Sequence, residues 1–453
     1  MNFFCNINNI VLKLFFSNIF ILMLITISYD ARAEIMERTL DNGLQVILKK
    51  DVRAPVVTSH IWYKIGSADE VSGKTGLSHA LEHMMFKGTK KNSGGKFSEI
   101  ISKLGGKENA FTSKDYTAYY QTLPSQYLEE AIKLESDRMS NLVITKKDFL
   151  KEIEVIKEER ILRTDDQPEG IAYEQLYASA YNNSAYHDPI IGWMEDLNQM
   201  TEKDISNWYK SWYAPNNATV VIVGDIEFDR TFELVKKYYG PKKRSVIKER
   251  VERKEPKQFG AKNVSIIINE KPSYLILGYK VPSLNTKNID QWECYALSVL
   301  SGVLSSGQNS RLQKILVRQK KLASYADSGY SMFSRKDPLF LIDVNPMVGK
   351  KINVIESELN KIIDNLKSNL VTKKELDRIK AQVLASEVYQ QDSIDYQARI
   401  LGMSKTSVGN IDTIKNYTSN INSVTAEQVR KVARKYFQLN LKTAVKVNDV
   451  LTK

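Results

Sequence analysis

The sequence predicts an α+β protein made of two copies of one α/β sandwich domain. Internal similarity is the first reason. "TEKDISNWYKSWYAPNNATVVIVGDI" (Thr201–Ile226) and "TAEQVRKVARKYFQLNLKTAVKVNDV" (Thr425–Val450) share one layout, 224 residues apart. Each opens with a threonine followed within three positions by an acid, the signature of a helix N-cap. An amphipathic helix follows and ends in an aromatic pair, Trp212–Tyr213 or Tyr436–Phe437; a polar turn then leads into a β-branched strand. Similarity at half the chain length indicates a duplicated domain, not a solenoid. The second reason is "GPKKRSVIKERVERKEPKQFGAKN" (Gly240–Asn263), a charged, Pro/Gly-punctuated stretch with no apolar period, which reads as a linker. The third is that strands and helices come in runs without strict βα alternation. These place a first domain at 34–245, a linker at 246–263 and a second domain at 264–453, with the cut near residue 255.

Along the chain, Lys13 precedes the apolar run "LFFSNIFILMLITISY", and "ARA" (Ala31–Ala33) follows. A cation, an apolar stretch and a small-x-small site describe a secretory signal peptide over 1–33, with Glu34 as the new N-terminus. The competing expectation is a retained membrane anchor, since the run is near the minimum length for a span. Either implies export, to a periplasm or beyond. Cys5 would leave with the signal and Cys294 would remain alone, so no internal disulfide is expected. The chain has 453 residues and a formal charge of +12, or +11 after losing Lys13, Asp30 and Arg32. Its lysines are scattered without interleaved aromatics, which with export argues against nucleic-acid binding.

The first domain then opens with strands at Leu44–Lys50 and Val56–Gly66. "LSHALEHMMF" (Leu77–Phe86) holds two of the four histidines of the chain. On a helix His79 and His83 share a face, and Glu82 points to nearly the same side. Two imidazoles can hold one zinc, and Glu82 is placed to take a proton from its water. The order H-x-x-E-H inverts that of the zincins. The flanks Leu77, Ala80, Leu81, Met84, Met85 and Phe86 mark the helix as buried, and a buried helix does not carry these polar groups without partners. A helix over Ser125–Leu142 and another over Phe149–Arg163 follow. The latter offers Glu152, Glu154, Glu158 and Glu159 as a third ligand, with Val155, Ile156 and Leu162 marking its buried side. Glu152 and Glu159, seven apart, lie on one stripe, so one could ligate and the other orient a histidine. Spacing does not choose among the four. His187, in "AYHDPI", reads as an ordinary loop histidine.

"GLSHALEHMMFKGT" resembles the metal-binding signature of the pitrilysin-type zinc peptidases, the inverzincins, a family that includes insulysin and the mitochondrial processing peptidase. The resemblance continues in "GGKENAFTSKDYTAYYQTLP" (Gly105–Pro124), "EIEVIKEERI" (Glu152–Ile161), "WYAPNNATVVIVGD" (Trp212–Asp225) and "SSGQNSRLQKILV" (Ser305–Val317). It implies the duplicated α/β sandwich fold shared with the metalloenzyme LuxS and the processing peptidases. By length the chain is similar to the half-size members, which close as a clamshell on dimerisation, as homodimers or with a related subunit. It also implies one Zn2+ per chain, held by His79, His83 and Glu159, with Glu82 as general base and Glu152 behind the ligands. Asn109 and Ala110 would lie beside the metal on a strand to which an extended peptide substrate adds. Active members carry an arginine and a tyrosine seven apart in the second half. Arg318 and Tyr325 have that spacing and are the candidates for the catalytic pair. A gap-free alignment of "LVRQKKLASYADSGY" (Leu316–Tyr330) puts Val317 and Ser324 there instead, one residue early, about 100° around a helix. A partner chain supplying the pair would fit that departure.

The expected activity is therefore zinc-dependent endopeptidase hydrolysis of peptides or unfolded polypeptides. The main alternative is a non-catalytic or partner-dependent subunit of a processing-peptidase-like complex, although such subunits usually lose the metal residues retained here. A zinc-stabilised structural protein would need a fourth ligand near the other three, and none is offered.

Overall fold

The structure, a computed structural model, describes residues 35–268 and 271–448. The segment expected to be a signal peptide or anchor, with Cys5, lies outside the described residues. Among the described residues no helix is long and apolar enough to cross a membrane.

Two sheets organise the chain. The first contains β1 (Ile35–Thr39), β2 (Gln45–Lys50), β3 (Val56–Tyr63), β4 (Lys107–Thr112), β5 (Thr117–Pro124) and β6 (Ala218–Gly224), in the order β1-β2-β6-β3-β5-β4. The second contains β7 (Lys262–Ile267), β8 (Tyr274–Lys280), β9 (Ala323–Gly329), β10 (Leu339–Pro346) and β11 (Lys442–Asn448), in the order β7-β11-β8-β10-β9. Leaving β1 aside, the two orders are the same. The pairing senses match as well: β2 runs parallel to β6 and β7 to β11, while every other pair is antiparallel. The duplication inferred from two helix–strand units thus extends through the whole sheet topology.

The first half adds helices α1 (Leu77–Met85), α2 (Lys96–Lys103), α3 (Leu128–Asn141), α4 (Lys146–Arg160), α5 (Pro168–Ala180), α6 (Met194–Gln199), α7 (Glu202–Trp212) and α8 (Phe228–Tyr239). The second adds α9 (Trp292–Ser305), α10 (Ile352–Ser368), α11 (Lys373–Gln390), α12 (Ile394–Ser407), α13 (Asp412–Lys415), α14 (Tyr417–Ser423) and α15 (Ala426–Tyr436). Thr201 and Thr425 cap α7 and α15 with the reciprocal bonds that the sequence suggested.

Each sheet buries one face against helices of its own half and the other against a helix of the opposite half. From α5 of the first half, Ala172, Leu176 and Ala180 pack on Ile276, Leu339 and Val445 of the second sheet. From α12 of the second half, Ala398 and Leu401 pack on Ile47, Trp62 and Val221 of the first. Central strands covered on both faces read as continuous apolar runs, and β6, "ATVVIVG", is buried at every position. Gly402 of α12 is required by this exchange, because a Cβ there would stand 2.1 Å from the Trp62 ring. The two halves are thus joined through their cores, each sheet being covered on one face by a helix of the other half.

The stretch 240–261, without regular elements, is pinned rather than loose. Glu255 accepts the N–H groups of Asn182, Asn183 and Ser184 at 2.8–3.1 Å and the Lys280 ammonium at 2.7 Å. Between the halves Arg335 chelates Asp69 (2.6 and 3.0 Å) and reaches Asp115 (3.1 Å), with both acidic side chains buried.

Candidate metal centre

Helix α1 starts at Gly76, whose φ of +85° only glycine adopts freely and where a Cβ would meet the Ile191 carbonyl oxygen at 2.5 Å. The start is capped from upstream: buried Glu70 accepts the N–H of Gly76 and of Ser78, both at 2.7 Å. Burial pushes the Glu70 carboxyl up to about 8 against the pull of these donors. Leu77, Ala80, Leu81, Met84 and Met85 enter the core, which leaves His79, Glu82 and His83 half-buried on the other face.

Helix α4 brings the carboxylates. Phe149, Ile153 and Ile156 hold it on the core, so Glu152 and Glu159, two turns apart, face α1. Of the expected buried stripe, Ile156 alone is buried. Val155 and Leu162 are exposed, because the buried positions follow Phe149–Ile153–Ile156 and the chain widens into a π-type turn at Ile161–Asp165. Of the four acids, Glu152 and Glu159 are the two that meet the histidines. Glu154 is exposed and paired with Lys157, and Glu158 is exposed.

Glu159 Oε2 lies 3.3 Å from His83 Nε2 and 3.7 Å from His79 Nε2, and one ligand atom from each residue falls within 4.8 Å of the others. Atoms held tetrahedrally at about 2.0–2.1 Å from one zinc are roughly 3.3 Å apart. The donor set of two imidazoles and a carboxylate, so spaced, fits zinc. Burial, then the neighbouring His83 and Arg163, lower the His79 pKa to about 3, so its ring is neutral and keeps a lone pair for a metal. Its Nδ1 is buried without a hydrogen-bond partner. His83 Nδ1 bonds Glu152 Oε1 at 3.0 Å, which turns Nε2 toward Glu159, and Lys87 holds the other Glu152 oxygen. Arg163 holds Glu159 Oε1 at 2.6 Å.

Glu82 takes no part in this triangle. The Thr112 hydroxyl donates to its Oε2, and burial raises its pKa. Thr112 ends β4, which among the described residues pairs only with β5 and is the edge of the first sheet. Asn109 and Ala110 lie on that edge and, with the metal residues, line a cleft of about 770 Å³. The cleft continues along Tyr173 and Tyr177 of α5 and the loop His187–Ile191.

Arg318 and Tyr325 are not brought to this cleft. Arg318, in the π-type turn Gln313–Gln319, bonds Asn309 at 3.2 Å, and Tyr325 is half-exposed on β9, the edge of the second sheet. Val317 packs against the second core, and the Ser324 hydroxyl bonds the Asn345 carbonyl. His60 is buried on β3 beside Asp395 of α12.

Sequence reasoning missed Thr112, Lys87, Arg163 and the cleft position of His187. Two of them carried a local signal, since Lys87 follows His83 and Arg163 follows Glu159 by one helical turn. Thr112 and His187 carried none, because they meet the site only through the fold.

Residues 45–192 match the insulinase family (peptidase family M16), and residues 199–383 match a domain described as the peptidase M16 inactive domain. These ranges part upstream of β6, which belongs to the first sheet. The chain is 33% identical over 415 residues to the zinc protease PqqE of Helicobacter pylori, covering 90% of this chain and 91% of that protein. It is 27% identical to an uncharacterized zinc protease, YmxG, of Bacillus subtilis, over 88% of this chain and 95% of that one. The crystal structure of a protease from Helicobacter pylori superposes with a TM-score of 0.87 at 32% identity, over 92% of this chain and all of that one. The periplasmic protease PqqL from Escherichia coli shares the fold, with a TM-score of 0.75 at 20% identity, over 92% of this chain and 47% of that one.

Proposed function

Because this chain belongs to the insulinase family of peptidases (family M16), we propose that it is a zinc-dependent endopeptidase acting on peptides or unfolded polypeptides. The observation that carries this reading is the convergence of His79 Nε2, His83 Nε2 and Glu159 Oε2, with Glu82 on the same helix face beside an open strand edge. His79, His83 and Glu159 would hold one zinc, which when bound polarises a carbonyl and acidifies water. The β4 edge binds the substrate backbone as an added strand, with Asn109 and Ala110 beside the scissile bond. Backbone pairing tolerates many sequences but demands an extended chain, which excludes folded proteins. Glu82, oriented by Thr112, takes the proton of the attacking water and hands it to the leaving amine. Glu152 fixes the His83 ring.

The N-terminal segment supports a periplasmic or secreted location with a cleaved signal. The placement of Arg318 and Tyr325 away from the cleft favours a partner-dependent form, in which a second copy or a related subunit closes over the site and supplies such a pair.

Zinc content measured beside cleavage of a fluorogenic peptide tests the activity. One zinc per chain, with cleavage falling about 10²–10⁴-fold in Glu82→Gln while zinc stays bound, is the expected result. Undiminished cleavage in that variant would remove Glu82 as the base, and absence of zinc from the wild type would remove the reading altogether. Full activity from a strict monomer would overturn the shared site.

A further inference from the structure

We propose that His187 is a substrate-contacting residue, which hydrogen-bonds the backbone of a peptide where it runs past the end of β4. The inference rests on the peptidase reading and deepens it.

His187 lines the same cleft as His79, Glu82 and His83, although it lies more than a hundred residues from them in sequence. Its ring is oriented from behind. Nδ1 is 2.9 Å from Asp188 Oδ1, and Trp193 Nε1 donates to the same oxygen at 3.0 Å. A carboxylate only accepts, so the imidazole proton sits on Nδ1. In the tautomer with its proton on Nδ1 the ring offers Nε2 as an acceptor, and Nε2 has no partner among the described residues. It suits a peptide N–H.

The loop is tied to the substrate edge. Lys114, two residues beyond Thr112, donates to the carbonyl oxygens of Tyr186 and Asp188, both at 2.9 Å. These carbonyls flank His187. The Lys114 ammonium also lies 4.5 Å from the Tyr177 ring centroid. A chain paired along Asn109–Thr112 and continuing past Lys114 would run toward the loop that Lys114 ties to the strand, and so toward His187. Successive residues of an extended peptide advance about 3.3 Å, so the contact falls beyond the scissile bond. Long substrates gain from it, and short ones end before reaching it.

The experiment uses the full chain, zinc-loaded and carrying Glu82→Gln so that binding is read without cleavage. Fluorescence anisotropy compares a labelled peptide long enough to run the length of β4 and past Lys114 with one that stops short of it. His187→Ala is expected to weaken the long peptide about tenfold, to leave the short one unchanged and to keep zinc. His187→Gln, which retains a polar group at the same reach, should recover part of the loss, and Asp188→Asn should reproduce some of it. Equal affinity of the Ala variant and its parent for the long peptide would overturn the inference while leaving the peptidase reading intact. A zinc-loaded parent that binds neither peptide would overturn both.

Discussion

Helices α1 and α9 follow the same strand in two copies of one topology, yet only one is polar. Helix α1 holds His79, Glu82 and His83 half-exposed, whereas α9 buries Ala296, Leu297, Val299, Leu300, Val303 and Leu304 and contains no histidine. The next pair repeats the contrast. Thr145 caps α4 in "TKKD", and Thr372 caps α11 in "TKKE". Aligned on those caps, Glu152 corresponds to Ile379 and Glu159 to Ser386. A polar constellation survives beside a core only where each member has partners. In the first half Glu152 partners His83, Lys87 partners Glu152, Arg163 partners Glu159 and Thr112 partners Glu82, while among the described residues the only carboxylate His79 meets is Glu159, at 3.7 Å. In the second half the counterpart of Glu152 is the core residue Ile379 and that of Glu159 is the exposed Ser386, consistent with the match of residues 199–383 to a domain described as inactive. That half still contributes α12, the Arg335 clasp and a surface for α5, without which the first sheet would be uncovered on one face.

The largest expected effect separates the two copies directly. Glu159→Ala should abolish stoichiometric zinc binding, beyond the roughly 10–100-fold loss expected for Glu152→Ala, which only orients a ligand. Ser386→Ala, its counterpart, should leave zinc unchanged, as should Glu158→Ala. Metal analysis after dialysis reads all four, and zinc lost from Glu158→Ala instead of Glu159→Ala would move the third ligand by one residue.

The clasp between the halves comes next. Arg335→Met strands Asp69 and Asp115 without their chelating cation, at a cost of about 3–5 kcal/mol, toward the lower end because Arg250 also reaches Asp69 at 2.8 Å. Denaturant titration should show one lowered transition; two separated transitions would mean that the halves fold independently. Smaller again is Gly402→Ala, where the added methyl meets Trp62. Overpacking of this kind costs about 1–3 kcal/mol, read as a lower melting temperature with zinc still bound. An unchanged melting temperature would show that α12 can shift on the first sheet.

The smallest effect belongs to the linker. Burial by itself raises the Glu255 pKa, but Lys280 and the N–H groups of Asn182, Asn183 and Ser184 outweigh it and hold the carboxyl at about 2. A folded pKa below the unfolded value, about 4.3, contributes stability that is present above the unfolded pKa and lost as pH falls through the folded one. Wild type should thus lose stability between about pH 4 and 2, and Glu255→Gln should flatten that part of its profile. Identical acid profiles would free the linker from this role.

Much of this protein was legible in one dimension. A helical period of 3.6 residues put two histidines and a glutamate on one face, threonine caps marked matching helices in both halves, and a charged stretch marked the crossing between them. Such signals are local: they depend on residues within a turn or two, and the chain states them outright. Tertiary structure alone decided the rest. It turned Glu159 toward His79 and His83 and Glu158 away through the rotation that Phe149, Ile153 and Ile156 impose on α4, and it left Val155 and Leu162 in solvent. It covered each sheet with a helix from the other half, brought Arg335 to Asp69 and Asp115, kept Arg318 and Tyr325 out of the cleft and drew His187 into it. These are contacts between residues far apart in sequence, set by which surfaces meet once both sheets are buried, and no local period records them.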